Sequence, residues 1–370
     1  MRRSVLATAL VVAGSLVLGA TASQAGYKME VNENSWISLG IGMRAHLGAQ
    51  QKDAAGGWED SLAFDSGRLY INGGIMEGLT FEFNTAVQNT SGGGGSATDV
   101  VMLDAIAKFE FSEAFNIWAG RMLPPSDRAN LSGPYYLNTW NGPWAGAAGP
   151  QRYTNIYAGR DDGAAIWGQF QGGKFKYQAG VFQGNSNSSA PNFAARLTQN
   201  LLDPEPGYYN SSTYFGTKDI FAIGLVYQIQ SGGSDLPGEN FSGWNVDILF
   251  EKNLGDSTGT VTLDGAVYGY SSGGSASTEQ DGLGFFALGG YMLPDKVGVG
   301  PFKGNPQATI RYEQYRDDRT TVGLGTGTTD RIDAALNWIL DGHNAYLSLN
   351  YGKVLDTDQQ EIILGMQFQY

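Results

Sequence analysis

The stretch 361-EIILGMQFQY-370 decides the fold. Read in twos, Ile362, Leu364, Met366, Phe368 and Tyr370 share one face, and Glu361, Ile363, Gly365, Gln367 and Gln369 share the other. Successive side chains of a strand point to opposite sides, so this is a strand with one apolar face. The same period recurs up the chain. In 36-WISLGIGMRAHL-47, Ile37, Leu39, Ile41, Met43, Ala45 and Leu47 oppose Ser38, Arg44 and His46. In 79-LTFEFNTAVQ-88, Leu79, Phe81, Phe83 and Val87 oppose Thr80, Glu82, Asn84 and Gln88. In 330-DRIDAALNWIL-340, Ile332, Ala334, Leu336, Trp338 and Leu340 oppose Arg331, Asp333 and Asn337.

Sixteen such segments are read, near 36–47, 63–75, 79–88, 100–111, 115–123, 162–170, 174–184, 191–202, 219–230, 243–252, 259–271, 281–292, 306–316, 330–340, 344–355 and 361–370. The facing of 281–292 stays open, because Phe285, Phe286, Leu288 and Tyr291 do not alternate cleanly. Tight links such as 76-MEG-78 and 171-QGG-173 alternate with longer Gly/Ser-rich ones such as 89-NTSGGGGSATD-99. Two links on the tight side, 203–218 and 293–305, are longer than the rest. Alternating short and long connections is the habit of outer-membrane barrels.

The two faces support that reading. Almost every segment carries Arg, Lys, Asp, Glu or Asn opposite its apolar set. A dry interior would pay several kcal/mol for each unpaired charge. A water-filled lumen removes that cost, lipid accepts the apolar face, and closure satisfies every backbone group. The expected fold is therefore all-β, a sixteen-stranded antiparallel transmembrane barrel. Eight strands fill their own interior, whereas ~16 leave an aqueous channel.

Composition agrees. The 370 residues include 54 glycines, 12% aromatics and only 16% charged residues, with a mean hydropathy of −0.23. A net charge of −13 argues against a nucleic-acid partner. The absence of cysteine excludes disulfides, Fe–S clusters and Cys-based zinc sites. The head, Met1-Arg2-Arg3 followed by apolar 4–20 and small Ser23 and Ala25, reads as a signal peptide over 1–25, leaving 26–370 as the barrel domain. Loss of Arg2 and Arg3 would take the net charge from −13 to −15.

The runs 115-FNIWAGRMLPPSDRANLSGPYYLNTW-140, 64-FDSGRLYINGGIMEGLTFEFN-84, 159-GRDDGAAIWGQFQGGKFKYQAGVFQGN-185 and 283-LGFFALGGYMLP-294 followed by 309-TIRYE-313 resemble the phosphate-selective porin O/P family. The resemblance implies a homotrimeric porin of the bacterial outer membrane, with a long third loop folded into the lumen. It also implies that the C-terminal aromatic is read by the barrel-assembly machinery. Outer-membrane lipid and lipopolysaccharide would surround such a barrel, and small ions and solutes would pass through it.

The longest connector, about 124–161, is the third external loop in this plan. Within 121–160 lie Arg121, Arg128, Arg152 and Arg160 against the single acid Asp127. Guanidinium groups at a narrowing favour anions. Equally, these arginines can pair with wall acids such as Asp161, Asp162 or Glu110 and hold the loop folded. On the wall, Arg44, Arg68, Lys108 and Arg196 are the further cations assigned to the constriction. With Lys174, Lys176, Arg311 and Arg331 they make eight cations assigned to the lumen face, nearly balanced by the nine acids Glu82, Asp104, Glu110, Asp247, Glu251, Asp264, Glu313, Asp333 and Glu361. The expected function is passive diffusion of small hydrophilic solutes with an anion lean. A cation-preferring porin, a sugar-type slide along Tyr135, Tyr136, Trp140, Trp144, Tyr153 and Tyr157, and a receptor or scaffold barrel are the alternatives. Asp356, Asp358 and Glu361 are read as a solvated outer loop, with divalent ions bridging lipopolysaccharide as the alternative.

No enzyme, cofactor or metal site is expected. 255-GDSTG-259 matches a G-x-S-x-G pattern, but in a turn between strands rather than a strand-to-helix elbow. A Ser257–His343 pair on the tight-turn side is the one arrangement that would argue otherwise.

Overall fold

The computed structural model describes residues 26–51, 56–91, 96–143, 151, 153, 158–186, 188–234, 238–271, 281–318 and 327–370. The expected signal segment 1–25 lies outside them. In chain order the strands are β1 (Tyr27–Glu30), β2 (Trp36–Gln51), β3 (Trp58–Met76), β4 (Leu79–Ser91), β5 (Ser96–Ser112) and β6 (Phe115–Met122). After the long connector come β7 (Asp161–Phe170), β8 (Phe175–Phe182), β9 (Asn192–Asn200), β10 (Ile220–Gln230), β11 (Phe241–Asn253) and β12 (Thr260–Ser271). The last are β13 (Gly282–Met292), β14 (Val297–Val299), β15 (Phe302–Asp317), β16 (Gly327–Asp341), β17 (Ala345–Val354) and β18 (Gln360–Gln369).

Each long strand pairs antiparallel with the next, β13 pairs with β15, and β18 pairs with β2, so sixteen strands close into a ring. All sixteen coincide with the segments read from alternation. Two short strands were not foreseen. β14 folds back on the start of β15, which is why the 293–305 link is long. β1 pairs with Trp36–Leu39 of β2, just below the point where β18 leaves that edge at Gln369 and Gly42. The seam is finished by the last residue, because Tyr370 and Ile41 exchange backbone hydrogen bonds of 2.7 and 2.8 Å.

Closure turns the alternation into two surfaces. Outward lie Leu336, Leu349 and Leu364, cross-strand neighbours on β16, β17 and β18 and all exposed. Phe111, Phe115, Phe170, Phe175, Tyr291 and Tyr370 are exposed near the tight-turn end, as an interfacial aromatic girdle requires. Inward and buried lie Arg44, Glu82, Asp104, Arg196, Asp247, Arg311, Glu313 and Asp333. Glu110 keeps the inward parity of Asp104 and Lys108 but sits at the rim beside the Ser112–Phe115 turn, exposed, where it accepts from Thr80 at 3.3 Å. On β13 the inward positions Phe286, Leu288 and Met292 are themselves apolar, so its two faces could not be told apart by polarity.

One bulge re-aims a side chain. Ser66 and Phe64 are consecutive partners of Arg44 and Ala45, which leaves Asp65 as an extra residue of β3. Asp65 thereby meets His46 Nδ1 at 2.8 Å, and His46 Nε2 meets Ser61 Oγ at 2.8 Å. Asp65 also accepts from Trp140 Nε1 at 3.2 Å, so the row braces the third connector against β2 and β3.

Candidate functional site: two connectors joined across polar wall residues

The third connector begins with Pro124 and Pro125, which cannot extend β6. One helical turn follows, α1 (Arg128–Ser132), whose cap Asp127 accepts from the Asn130 N–H. Gly133, at φ 67°, ends the turn in a conformation that L side chains rarely adopt. The segment then makes hydrogen bonds to inward-facing side chains of ten strands. Arg196 of β9 donates to Ser126 O at 3.0 Å, and Gln228 of β10 to Pro125 O at 2.9 Å. Asp247 of β11 accepts from Arg128 N, and Tyr268 of β12 donates to Asp127 at 2.9 Å. Gln307 and Arg311 of β15 and Asn337 of β16 hold Asn138 and Thr139. Asn350 of β17 accepts from Trp140 N, and Gln367 of β18 donates to Tyr135 O. Arg44 of β2 donates to Trp140 O at 2.7 Å, and the Tyr135 hydroxyl reaches Ser66 of β3.

Glycines let the rings approach the wall. A Cβ on Gly365 would lie 2.4 Å from the Trp140 ring, and one on Gly42 would lie 3.0 Å from Tyr135. The connector's rings are engaged in packing. Trp140 stacks under the Arg44 guanidinium at 4.1 Å, and Tyr153 packs edge-on against Tyr270 at 5.5 Å. Trp144 and Tyr157 lie outside the described residues.

The second connector, 201–219, was read only as a long link. It enters the same network. Lys176 of β8 donates to Gly207 O, Tyr209 O and Asn210 Oδ1, the last at 2.6 Å. Glu251 of β11 accepts from Thr213 Oγ1, Tyr214 N and Gly216 N. Tyr208 stacks on Trp118 at 4.7 Å.

The two connectors bind each other. Arg128 grips Glu205 with both terminal nitrogens, at 2.7 and 2.8 Å, and donates to Ser211 O at 2.6 Å. Asn138 donates to Ser212 O at 2.9 Å, and Ser212 N donates to Tyr136 O at 3.2 Å. Arg128 and Glu205 are each 1% exposed. Burial alone would raise the Glu205 carboxyl, but the charge and hydrogen bonds of Arg128 override it and hold Glu205 at about 2. In the 342–344 turn, burial pulls the His343 imidazole down to about 4, so it is neutral at pH 7 and bonds Thr213 O at 2.9 Å. His343 meets Thr213 and Ser211 in the connector, and the Ser257–His343 pairing does not form.

The cations expected to filter anions are mostly occupied. Arg121 makes a two-pronged pair with Asp162, at 2.7 and 2.9 Å. Arg128 is held by Glu205, and Arg160 by Asp104 at 3.2 Å. On the wall, Arg196 pairs with Asp247 and Lys108 with Glu82, each at 2.5 Å. Arg44 is spent on Trp140. Arg152 lies outside the described residues. Arg68, like Arg44, has no carboxylate at ion-pair distance among the described residues; its guanidinium rests over the Tyr135 ring at 5.0 Å. In the outer loop, Asp358 pairs with Lys353 at 2.8 Å, Asp356 caps Asp330 N, and Glu361 pairs with Arg331. Those acids therefore act one by one, and no metal-holding group is found among the described residues.

No protein-family model and no curated protein matches the chain. Solved structures do. Salmonella typhi OmpF in complex with daunomycin aligns at TM-score 0.60 and 12% identity, over 93% of this chain and 100% of that one. An anion-selective porin from Comamonas acidovorans aligns at 0.55 and 13%, over 91% and 100%. The trimer form of OmpT, an outer membrane protein of Vibrio cholerae, aligns at 0.55 and 11%, again over 91% and 100%. At these identities the likeness is one of fold: the chain has the closed sixteen-stranded barrel of outer-membrane porins.

Proposed function

We propose that the chain is a porin of the bacterial outer membrane that lets small hydrophilic solutes diffuse through its barrel, past a constriction built by residues 123–143 and 201–219. The carrying observation is the two-faced wall. An unbroken outward apolar belt fits lipid, and the inward face presents charges that only water or a polar partner accommodates. Both connectors bond to that inward face, which supports a third loop folded into the lumen and a second insertion meeting it from the tight-turn side. The protein's part in transport is then size exclusion and electrostatics, with no chemical step.

The OmpT trimer form and the resemblance to the O/P family support assembly as a homotrimer. Phosphate selectivity does not follow, because the paired arginines leave little basic excess. Proteoliposome swelling tests the reading. Pentoses and small amino acids should swell liposomes carrying the purified chain, and trisaccharides should not. No swelling with any solute would overturn it.

A further inference from the structure

We propose that Arg68 gives the passage its charge preference by holding one small monovalent anion in a niche between β3 and the two connectors. The proposal rests on the channel reading above.

A cavity of about 60 Å³ is lined by Arg68, Tyr70, Asn84, Arg160, Tyr136 and Asn210, with Glu82 and Asp104. That is the share of about two waters, at ~30 Å³ each. It has room for an ion of chloride or formate size. Both carboxylates of the niche are matched, Asp104 by Arg160 and Glu82 by Lys108. Arg68 is therefore the charge left over. Among the described residues it has no carboxylate at ion-pair distance; it hydrogen-bonds the Tyr70 hydroxyl, rests over the Tyr135 ring and feels Asp104 only at longer range.

Two residues of its lining carry donors that no protein acceptor meets. Arg68 Nε is buried without a protein acceptor, and so is Asn210 Nδ2. Asn210 is 1% exposed, and its Oδ1 is already taken by Lys176, so its amide N–H₂ is the group left to bind. A guanidinium fork and an amide N–H₂ only donate, so their ligand must accept without offering a proton. An uncompensated cation at a partly dry site is costly, and one negative charge neutralises it. A dianion would leave a net negative niche beside Glu82 and Asp104. The class is thus chloride, nitrate or formate rather than phosphate dianion.

The test is the zero-current potential of the full chain in a planar bilayer under a KCl gradient. The wild type should show the anion-selective sign. Arg68→Gln should lower the chloride-to-potassium permeability ratio by about threefold or more while conductance persists. Lys353→Gln, at the outer-loop end of β17, should leave the ratio unchanged. Arg68→Lys, which keeps the charge, should retain most of the preference. Should Arg68→Gln not assemble, the wild-type conductance decides: it should saturate as chloride is raised, and a linear rise would overturn the niche. A conducting Arg68→Gln barrel with the wild-type ratio, or a cation-selective wild type, would overturn the proposal and leave the channel reading standing. No conductance in the wild type would overturn both.

Discussion

Glu205→Ala is expected to destabilise the barrel by about 3 kcal/mol, at the low end of the ~3–5 kcal/mol range for breaking a buried ion pair. The pair is 1% exposed on both sides, so the substitution leaves the Arg128 guanidinium in a dry site. Asp247, 3.8 Å from Arg128 Nε, retains part of the compensation, which is why the low end is chosen. Arg128→Met with Glu205→Leu should recover most of the loss, because two apolar groups of similar volume need no partner. The pH dependence has a definite sign. Glu205 is held at about 2, below the ordinary glutamate value. Its contribution is therefore fully present above about pH 4.5 and is lost as pH falls through about 2. Unfolding in denaturant across that window should show the wild type losing stability more steeply than Glu205→Ala. Equal stability of the two proteins at pH 7 would show that the connectors are not held by this pair.

Leu349→Arg is expected to cost about 2–4 kcal/mol, the cost of an arginine at the midplane of a barrel's lipid face. Leu349 sits mid-strand on β17 between Leu336 and Leu364, all three exposed on the outer face. Leu355→Arg, just past the end of β17, is the control, with an expected cost of about 0–1 kcal/mol near the interface. Folding in lipid vesicles against a denaturant series measures both. If the two substitutions cost the same, the outward belt does not lie in hydrocarbon.

The strands were legible because alternation is local. Each run, 361–370 included, carries its own evidence of which side is wet. Register and bulges were not, since nothing within 58–76 shows that Asp65 is the extra residue. The site was less legible still. Arg128 could be singled out as a cation in a long loop, but its partner lies 77 residues away in a connector that looked like spacer. That contact depends on the barrel's closure and width, which no local pattern records. The length of 203–218, with Glu205 and a run of tyrosines and small polar residues, was the only signal that it does more than join β9 to β10. Likewise Arg68 and Arg121 look alike in sequence. One is left over and the other bound only because Asp162 directly opposes Arg121 on β7.

The single-channel current of the purified full chain in a planar bilayer, taken beside that of Glu205→Ala, asks most directly whether solute passes through a barrel narrowed by two joined connectors. The wild type should give discrete, small current steps, and Glu205→Ala should give larger ones as the Arg128–Glu205 grip is lost. Silent membranes from correctly folded barrels, or steps of identical size from both proteins, would contradict that picture.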